Sequence, residues 1–241
     1  MSCNILLLAA GRIKREDASA DYPNCMAEID GTLIIEHVID TTRQIPEAEY
    51  YCSILQRDSS RFHLDDVVRQ LISSVKIVTV PEDTKGSACT ALLAAVTMNR
   101  DASLLVVSSN EWVKVDLMTV VNYFLDRSFD AGTITFRSLH PRYSYVKLDE
   151  KGFVIEVAQH RPISSHATAG VFWYARTQDF VDAAMALIRK DATDDGYYYV
   201  APTFNELILK QRKVGTYPIQ KSAYVPLKNA HQIKQYQGIR L

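Results

Sequence analysis

The chain has 241 residues, 27 Lys and Arg against 28 Asp and Glu, and a hydrophobic share of 47% with 23% charged. This is the composition of an ordinary folded globular protein and excludes disorder as the main state. A net charge of -1 gives no general attraction to a polyanion, so no nucleic-acid partner is expected, although a local basic pocket of a few side chains is compatible with it. Apolar runs such as residues 5–10 and 104–107 are far short of the roughly 20 residues of a membrane helix, and Met1-Ser2-Cys3-Asn4 has no basic n-region. No membrane partner and a cytoplasmic location are expected. Cys3, Cys25, Cys52 and Cys89 are scattered without a CxxC pair, and buried free thiols are the expected state. No Pro/Gly/Ser-rich linker or internal repeat divides the sequence, so one domain is expected.

Runs rich in β-branched residues alternate with segments of helical period, the pattern of βα units around a largely parallel sheet. Strands are predicted over 4–10, 50–55, 75–80, 104–108 and 131–136, and helices over 34–43, 61–71, 87–98 and 117–126. The pattern then changes. Residues 144–148 and 154–159 flank Asp149-Glu150-Lys151-Gly152, whose Gly-terminated turn predicts an antiparallel hairpin. A strand over 169–175, helices over 178–189 and 202–211 and a last strand over 214–219 complete an α/β chain. Ligand chemistry is expected at the C-terminal ends of its parallel strands.

The first strand runs into Ala9-Ala10-Gly11-Arg12-Ile13-Lys14-Arg15. Small residues at Ala9, Ala10 and Gly11 let backbone N–H groups approach a polyphosphate, and Arg12, Lys14 and Arg15 supply cations to neutralise it. A solvated basic turn fits the same residues, and neither the Walker A nor the full GxGxxG spacing is present.

The opening Leu8-Ala9-Ala10-Gly11 with Arg15, followed by Pro23-Asn24-Cys25-Met26-Ala27-Glu28-Ile29-Asp30-Gly31 and a helix from Ile34, resembles that of the sugar-phosphate nucleotidyltransferase (nucleotide-sugar pyrophosphorylase) family. Lys85-Gly86-Ser87-Ala88-Cys89-Thr90-Ala91 is similar to its base-contacting turn, and Val107-Ser108-Ser109-Asn110 to its metal-binding strand end. Ser144-Tyr145-Val146-Lys147-Leu148, Ala167-Thr168-Ala169-Gly170-Val171 and Tyr199-Val200-Ala201-Pro202-Thr203-Phe204-Asn205 resemble the sugar-side segments of its short bacterial members.

The resemblance implies a Rossmann-like, glycosyltransferase-A-like open mixed sheet flanked by helices in a single domain. Residues 1–136 would form the nucleotide-binding half, 137–220 the sugar-phosphate and hairpin half, and 221–241 a C-terminal tail. The implied partners are a nucleoside triphosphate and a sugar phosphate, with Mg²⁺ as cofactor. Arg15, Asn24 and His160 fall at catalytic positions. Ala9, Ala10, Gly11, Arg12, Lys14, Gly86, Ser87, Ala88 and Ser109 fall on the nucleotide side, and Tyr145, Gln159, Arg161, Gly170, Tyr199 and Asn205 on the sugar-phosphate side.

Several of these positions depart from the family pattern. Asn24 stands where the family has a catalytic Lys, and an amide cannot offset developing negative charge. Asn110 stands at the metal-binding Asp, with Glu111 adjacent and Asp116 further along as substitutes. Ile13 replaces the second loop Gly, Gln159-His160-Arg161-Pro162 replaces a Glu-Lys pair before Pro, and Tyr224-Val225-Pro226-Leu227-Lys228-Asn229-Ala230 has neither the acid nor the Gly of the family's terminal motif. Two readings follow: an active nucleotidyltransferase, suggested for surface polysaccharide precursor synthesis, and a catalytically lapsed binding or regulatory homologue.

Elsewhere, Tyr197-Tyr198-Tyr199 and Trp173-Tyr174 are expected as core or interface anchors, and the aromatic-rich second half offers a homodimer surface. His37 and His63 are expected as surface or cap residues, Asp65-Asp66 and Asp194-Asp195 as solvated loops or helix starts, and Lys210-Gln211-Arg212-Lys213 as a complement to a helix C-terminus.

Overall fold

The computed structural model describes residues 2–11, 22–81 and 84–238. Arg12, Lys14 and Arg15 of the expected phosphate loop lie outside these residues. The described residues form a mixed α/β architecture whose nine-stranded sheet is parallel at its centre. Strand β1 (Cys3–Leu8) lies between β4 (Ala48–Leu55) and β6 (Ser103–Ser108), parallel to both, and β5 (Lys76–Val80) extends the sheet beyond β4. On the other side β6 pairs antiparallel with β11 (His166–Tyr174). From β11 the sheet divides. One branch is the predicted hairpin β9 (Ser144–Leu148) and β10 (Val154–Gln159), and the other is β8 (Ala131–Arg137) with β12 (Val214–Pro218).

The apolar run of β1 reads as continuous because the strand is covered on both faces. Ile5 and Leu7 point into one layer of the core, with Leu105 and Val107 of β6 and residues of α1 (Ile34–Asp40), α3 (Leu64–Leu71) and α5 (Leu117–Asp126). Leu6 points into the other, with Leu104, Val106 and the alanines of α4 (Ser87–Ala95), together with Phe180 of α6 (Thr177–Arg189) and Phe204 of α7 (Thr203–Leu209). Strand alternation thus assigns successive side chains to opposite layers. No helix among the described residues is long and apolar enough to cross a membrane.

Three local features differ from the sequence-based expectation. The helix predicted over 61–71 is two helices, α2 (Gln56–Phe62) and α3, because His63 takes a left-handed conformation with φ +53° between them. Two short strand pairs also escape the pattern: β2 (Glu28–Ile29) with β3 (Thr32–Leu33), and β7 (Glu111–Val113) with β13 (Tyr224–Pro226). Two- and three-residue strands carry too few positions to show alternation. Finally, α8 (Ala230–Gly238) follows β13, where only a tail was expected.

Candidate active site

The C-terminal ends of β1 and β6 are fastened together. The Ser109 backbone N–H and hydroxyl both donate to the Leu8 carbonyl, at 3.2 and 2.7 Å, and the Ala9 N–H donates to the Ser53 carbonyl at the end of β4. Gly11 then passes so close to Asn110 that a Cβ there would lie 3.3 Å from the Asn110 amide nitrogen. The Ser108 hydroxyl donates to Asn110 Oδ1 at 3.2 Å, while the Asn110 carbonyl accepts the Leu227 N–H at 2.9 Å. That last bond docks the segment after β13 onto the end of β6.

Glu111 is the centre of the cluster. It is only 7% exposed, so its charge requires partners. Tyr224 Oη donates to Oε2 at 2.6 Å, and Lys228 Nζ forms an ion pair with Oε1 at 2.8 Å. Burial, and next the Glu111 charge, hold the Tyr224 phenol well above its ordinary value, so it remains a donor. Gly170 sits directly beneath: with φ +70°, a Cβ would lie 2.8 to 3.0 Å from the Glu111 carboxyl group, a position that favours glycine on both counts. Asn24 Nδ2 donates to the Lys228 carbonyl at 2.8 Å. Gly11, Asn24, Asn110, Glu111 and Gly170, which the resemblance assigns to different parts of the site, are brought close to one another. Lys228 and Tyr224 join them unforeseen; the one available signal was a cation within a stretch remarkable only for what it lacked.

These residues do not fit the Mg²⁺ that the resemblance implies. A hard divalent ion takes carboxylate oxygens. Asn110 offers a neutral amide whose oxygen already accepts from Ser108, and both oxygens of Glu111 are engaged, one by an ammonium. Asp116 is no substitute: it caps α5, accepting from the Met118 N–H and the Thr119 hydroxyl.

A second cluster lies at the end of β10. His160, in a left-handed conformation with φ +54°, places Nδ1 2.6 Å from Asp194 Oδ2, and the Tyr199 ring meets its imidazole edge-on at 5.2 Å between centroids. Asp195 brings a third donor, so that ligand atoms of His160, Asp194 and Asp195 lie within 4.8 Å of one another. Burial raises the Tyr199 phenol, and Asp194 and Asp195 add to the shift. Asp194, expected as a solvated acid, thus has a partner 34 residues away. The His160 N–H donates to the Tyr143 carbonyl at 3.0 Å, and the Tyr143 ring lies 5.8 Å from that of Tyr224. This chain of contacts joins the two clusters.

Other expected site residues have structural duties. Tyr145 is completely buried and its hydroxyl donates to the His140 carbonyl at 2.5 Å, which leaves it no face for a sugar. Asn205 bonds both the N–H and the carbonyl of Val157. Gln159 accepts from the Ser144 hydroxyl, and the exposed Arg161 lies 3.4 Å from Glu156. The turn at Gly86, Ser87 and Ala88 is tied to the 197–200 loop. A Cβ on Gly86, at φ +112°, would lie 2.3 Å from the Tyr198 carbonyl oxygen. The Ala88 N–H is spent on that same carbonyl, and Ser87 Oγ accepts the Val200 N–H. Ala88 is fully buried and has no backbone donor for a base; Ser109 has likewise committed its hydroxyl and N–H to Leu8. Trp173 and Tyr174 are fully buried core residues, as expected. His37, expected as a surface or cap residue, is half-buried in the last turn of α1, where it stacks on Trp112 at 4.3 Å and bonds the Ile29 carbonyl.

No family model and no curated protein matches the sequence. The fold nevertheless defines a class: a Rossmann-like α/β sheet shared with nucleotide-sugar pyrophosphorylases and related nucleotidyltransferases. The nucleoside-diphosphate-sugar pyrophosphorylase from Vibrio cholerae RC9 superposes with a TM-score of 0.80 at 18% identity, over 99% of this chain and 100% of its own. The inositol-1-phosphate CTP transferase from T. maritima does so with a TM-score of 0.73 at 13% identity, over 95% and 90%. HddC from Yersinia pseudotuberculosis, solved with GMP-PN, gives 0.68 at 12% identity over 99% of each chain.

Proposed function

We propose that this chain is a member of the sugar-phosphate nucleotidyltransferase family, binding a nucleoside triphosphate and a sugar phosphate across the crest of β1, β6 and β11. In the proposed reaction a phosphate oxygen of the sugar phosphate attacks the α-phosphorus of the triphosphate. The bond from that phosphorus to the bridging oxygen breaks, and pyrophosphate leaves with the electron pair. The observation that carries the reading is convergence: Gly11, Asn24, the adjacent pair Asn110 and Glu111, and Gly170 come from four separate segments and meet where parallel strands end, the usual location of ligands in open α/β sheets.

The residues here would act by position and charge. Gly11 keeps the strand end open to a phosphate, Lys228 offers a cation, and His160, oriented by Asp194, presents its other ring nitrogen on the sugar-phosphate side. Outside the described residues, Arg15 is assigned to the triphosphate and Arg12 and Lys14 to its neutralisation. Synthesis of surface polysaccharide precursors in the cytoplasm, by a homodimer, belongs to the same proposal.

A second reading, of a binding protein without turnover, is favoured by one feature: the site is uncharged at Asn24 and Asn110 and self-neutralised at Glu111. Losing one transition-state charge contact costs roughly 10²–10³-fold in rate. Incubating the protein with a panel of nucleoside triphosphates and sugar phosphates and measuring pyrophosphate separates the two. Release that Arg15→Ala abolishes supports transfer. Nucleotide-dependent thermal stabilisation without release supports the binding protein, and neither effect with any nucleotide refutes both.

A further inference from the structure

The residues at the end of β6 do not suit a divalent cation, yet a cation is there. We propose that the Lys228 ammonium, held by Glu111, takes the place of a metal ion at this strand end and receives the phosphate groups of the ligand directly; the inference rests on the proposed nucleotide-binding reading.

Four observations carry it. Lys228 Nζ stands 2.8 Å from Glu111 Oε1, and Glu111 is its one ionic partner among the described residues. The two side chains are unequally covered, 37% exposed for Lys228 against 7% for Glu111, so the carboxylate is sealed below while part of the lysine is open above. The lysine is fixed by its backbone: its carbonyl accepts from Asn24 Nδ2, and its N–H donates to Gln232 Oε1 at 2.8 Å. Lastly, Asn24 and Asn110, the two neighbours expected to carry opposite charges in a metal-assisted site, are both neutral, so the cluster needs no further counter-ion.

A metal ion entering this point would have to displace Lys228 from Glu111 and then sit within a few ångströms of the released ammonium. A divalent ion and an ammonium that close repel one another even at the dielectric of bulk water, and more strongly beside a protein surface. An ammonium is a compact point charge with three donors, and lysine is an established phosphate partner in that role.

Two arms of one experiment test this, with inorganic tripolyphosphate and Mn²⁺ as separate probes, both followed by titration calorimetry on full-length protein. In EDTA the native chain is expected to bind tripolyphosphate, Lys228→Gln to bind it at least tenfold more weakly, and Glu111→Gln, which removes the opposing negative charge, to bind it more tightly. Without tripolyphosphate, the native chain is expected to take up no Mn²⁺ at this site, while Lys228→Gln gains Mn²⁺ binding that a second substitution at Glu111 abolishes. Lys228→Met, which lacks any donor, should repeat the loss of tripolyphosphate if Lys228→Gln proves poorly folded.

Equal affinity of native and Lys228→Gln for tripolyphosphate in EDTA would overturn the inference, as would a native chain that binds tripolyphosphate only with Mg²⁺. No gain of Mn²⁺ binding in either Lys228 variant would also overturn it. If the native chain ignores tripolyphosphate with and without Mg²⁺, the nucleotide-binding reading fails and direct phosphate contact fails with it. The Mn²⁺ arm would then show separately whether Lys228 holds a cation's place.

Discussion

Replacing Asn205 separates a structural role from a ligand-binding one, because the sequence resemblance and the structure assign it differently. Asn205 lies on α7 and faces β10, the outer strand of the hairpin branch. Its Oδ1 accepts the Val157 N–H and its Nδ2 donates to the Val157 carbonyl, both at 2.8 Å. Val157 is 4% exposed, so the amide supplies partners that water does not readily replace, and it closes part of an open sheet edge. Asn205→Ala leaves one donor and one acceptor unpaired at roughly 1–3 kcal/mol each, reduced where the smaller side chain admits water, for a total of about 2–4 kcal/mol. For a protein of this size each kcal/mol moves Tm by about 2–4 °C, so a fall of roughly 5–12 °C is expected. Asn205→Asp keeps the acceptor but sets a carboxylate oxygen against the Val157 carbonyl. Its loss should be at least as large at pH 7 and should shrink near pH 4, as the carboxyl group protonates. Urea unfolding gives the stability, and calorimetry with the best nucleotide from the screen gives affinity at a temperature where the variant is folded. An unchanged midpoint combined with lost affinity would refute the structural assignment and restore Asn205 to the ligand.

Further expectations concern pH, thiols and capping. Burial, with the nearby Arg137 charge, lowers the His166 imidazole below its ordinary 6.5. The unfolded chain therefore takes up this proton first, and stability present above pH 6.5 is lost as pH falls through the window below it. His166→Gln should flatten that slope in urea melts between pH 5 and 7.5, and an identical slope would refute it. Burial, then the Asp58 charge, pushes the Cys25 thiol up to about 12, and burial also raises Cys3 and Cys52. Iodoacetamide at pH 8 should therefore reach only the partly exposed Cys89 until urea opens the fold; peptide mapping that finds Cys25 labelled equally fast in the native protein would contradict this. Asp116→Ala should cost about 1 kcal/mol as a lost helix cap and leave nucleotide affinity as it was. A loss of affinity in calorimetry would place Asp116 at the ligand after all.

Much of the sheet is readable from residue order alone. The runs in β1 and β6 are apolar and uninterrupted because the strands are buried on both faces, and burial is what hydrophobic patterning records. The hairpin of β9 and β10 is marked by its own turn. Helix 61–71 is misread because the apolar period continues through His63, while its backbone turns left-handed for reasons local pattern does not encode. The pairing of β7 with β13 leaves no trace at all: Tyr224 and Glu111 are 113 residues apart, and neither segment alternates for long enough to announce a partner.

For the site, residue types and spacing determined where chemistry could occur: a small-residue strand end at Ala9, Ala10 and Gly11, and a polar strand end at Ser108, Ser109 and Asn110. Which of those groups are available was decided by tertiary contacts. A hydroxyl or amide looks the same in sequence whether it faces solvent or, like Ser109, Ala88 and Asn205, has already given its hydrogen bonds to the backbone. Charge is equally blind to distance along the chain. That Asn24 and Asn110 are neutral is legible from their identity alone, but that Lys228 sits against Glu111 follows only when the segment after β13 docks on β6 through the Leu227 to Asn110 hydrogen bond, since Coulomb attraction depends on separation in space.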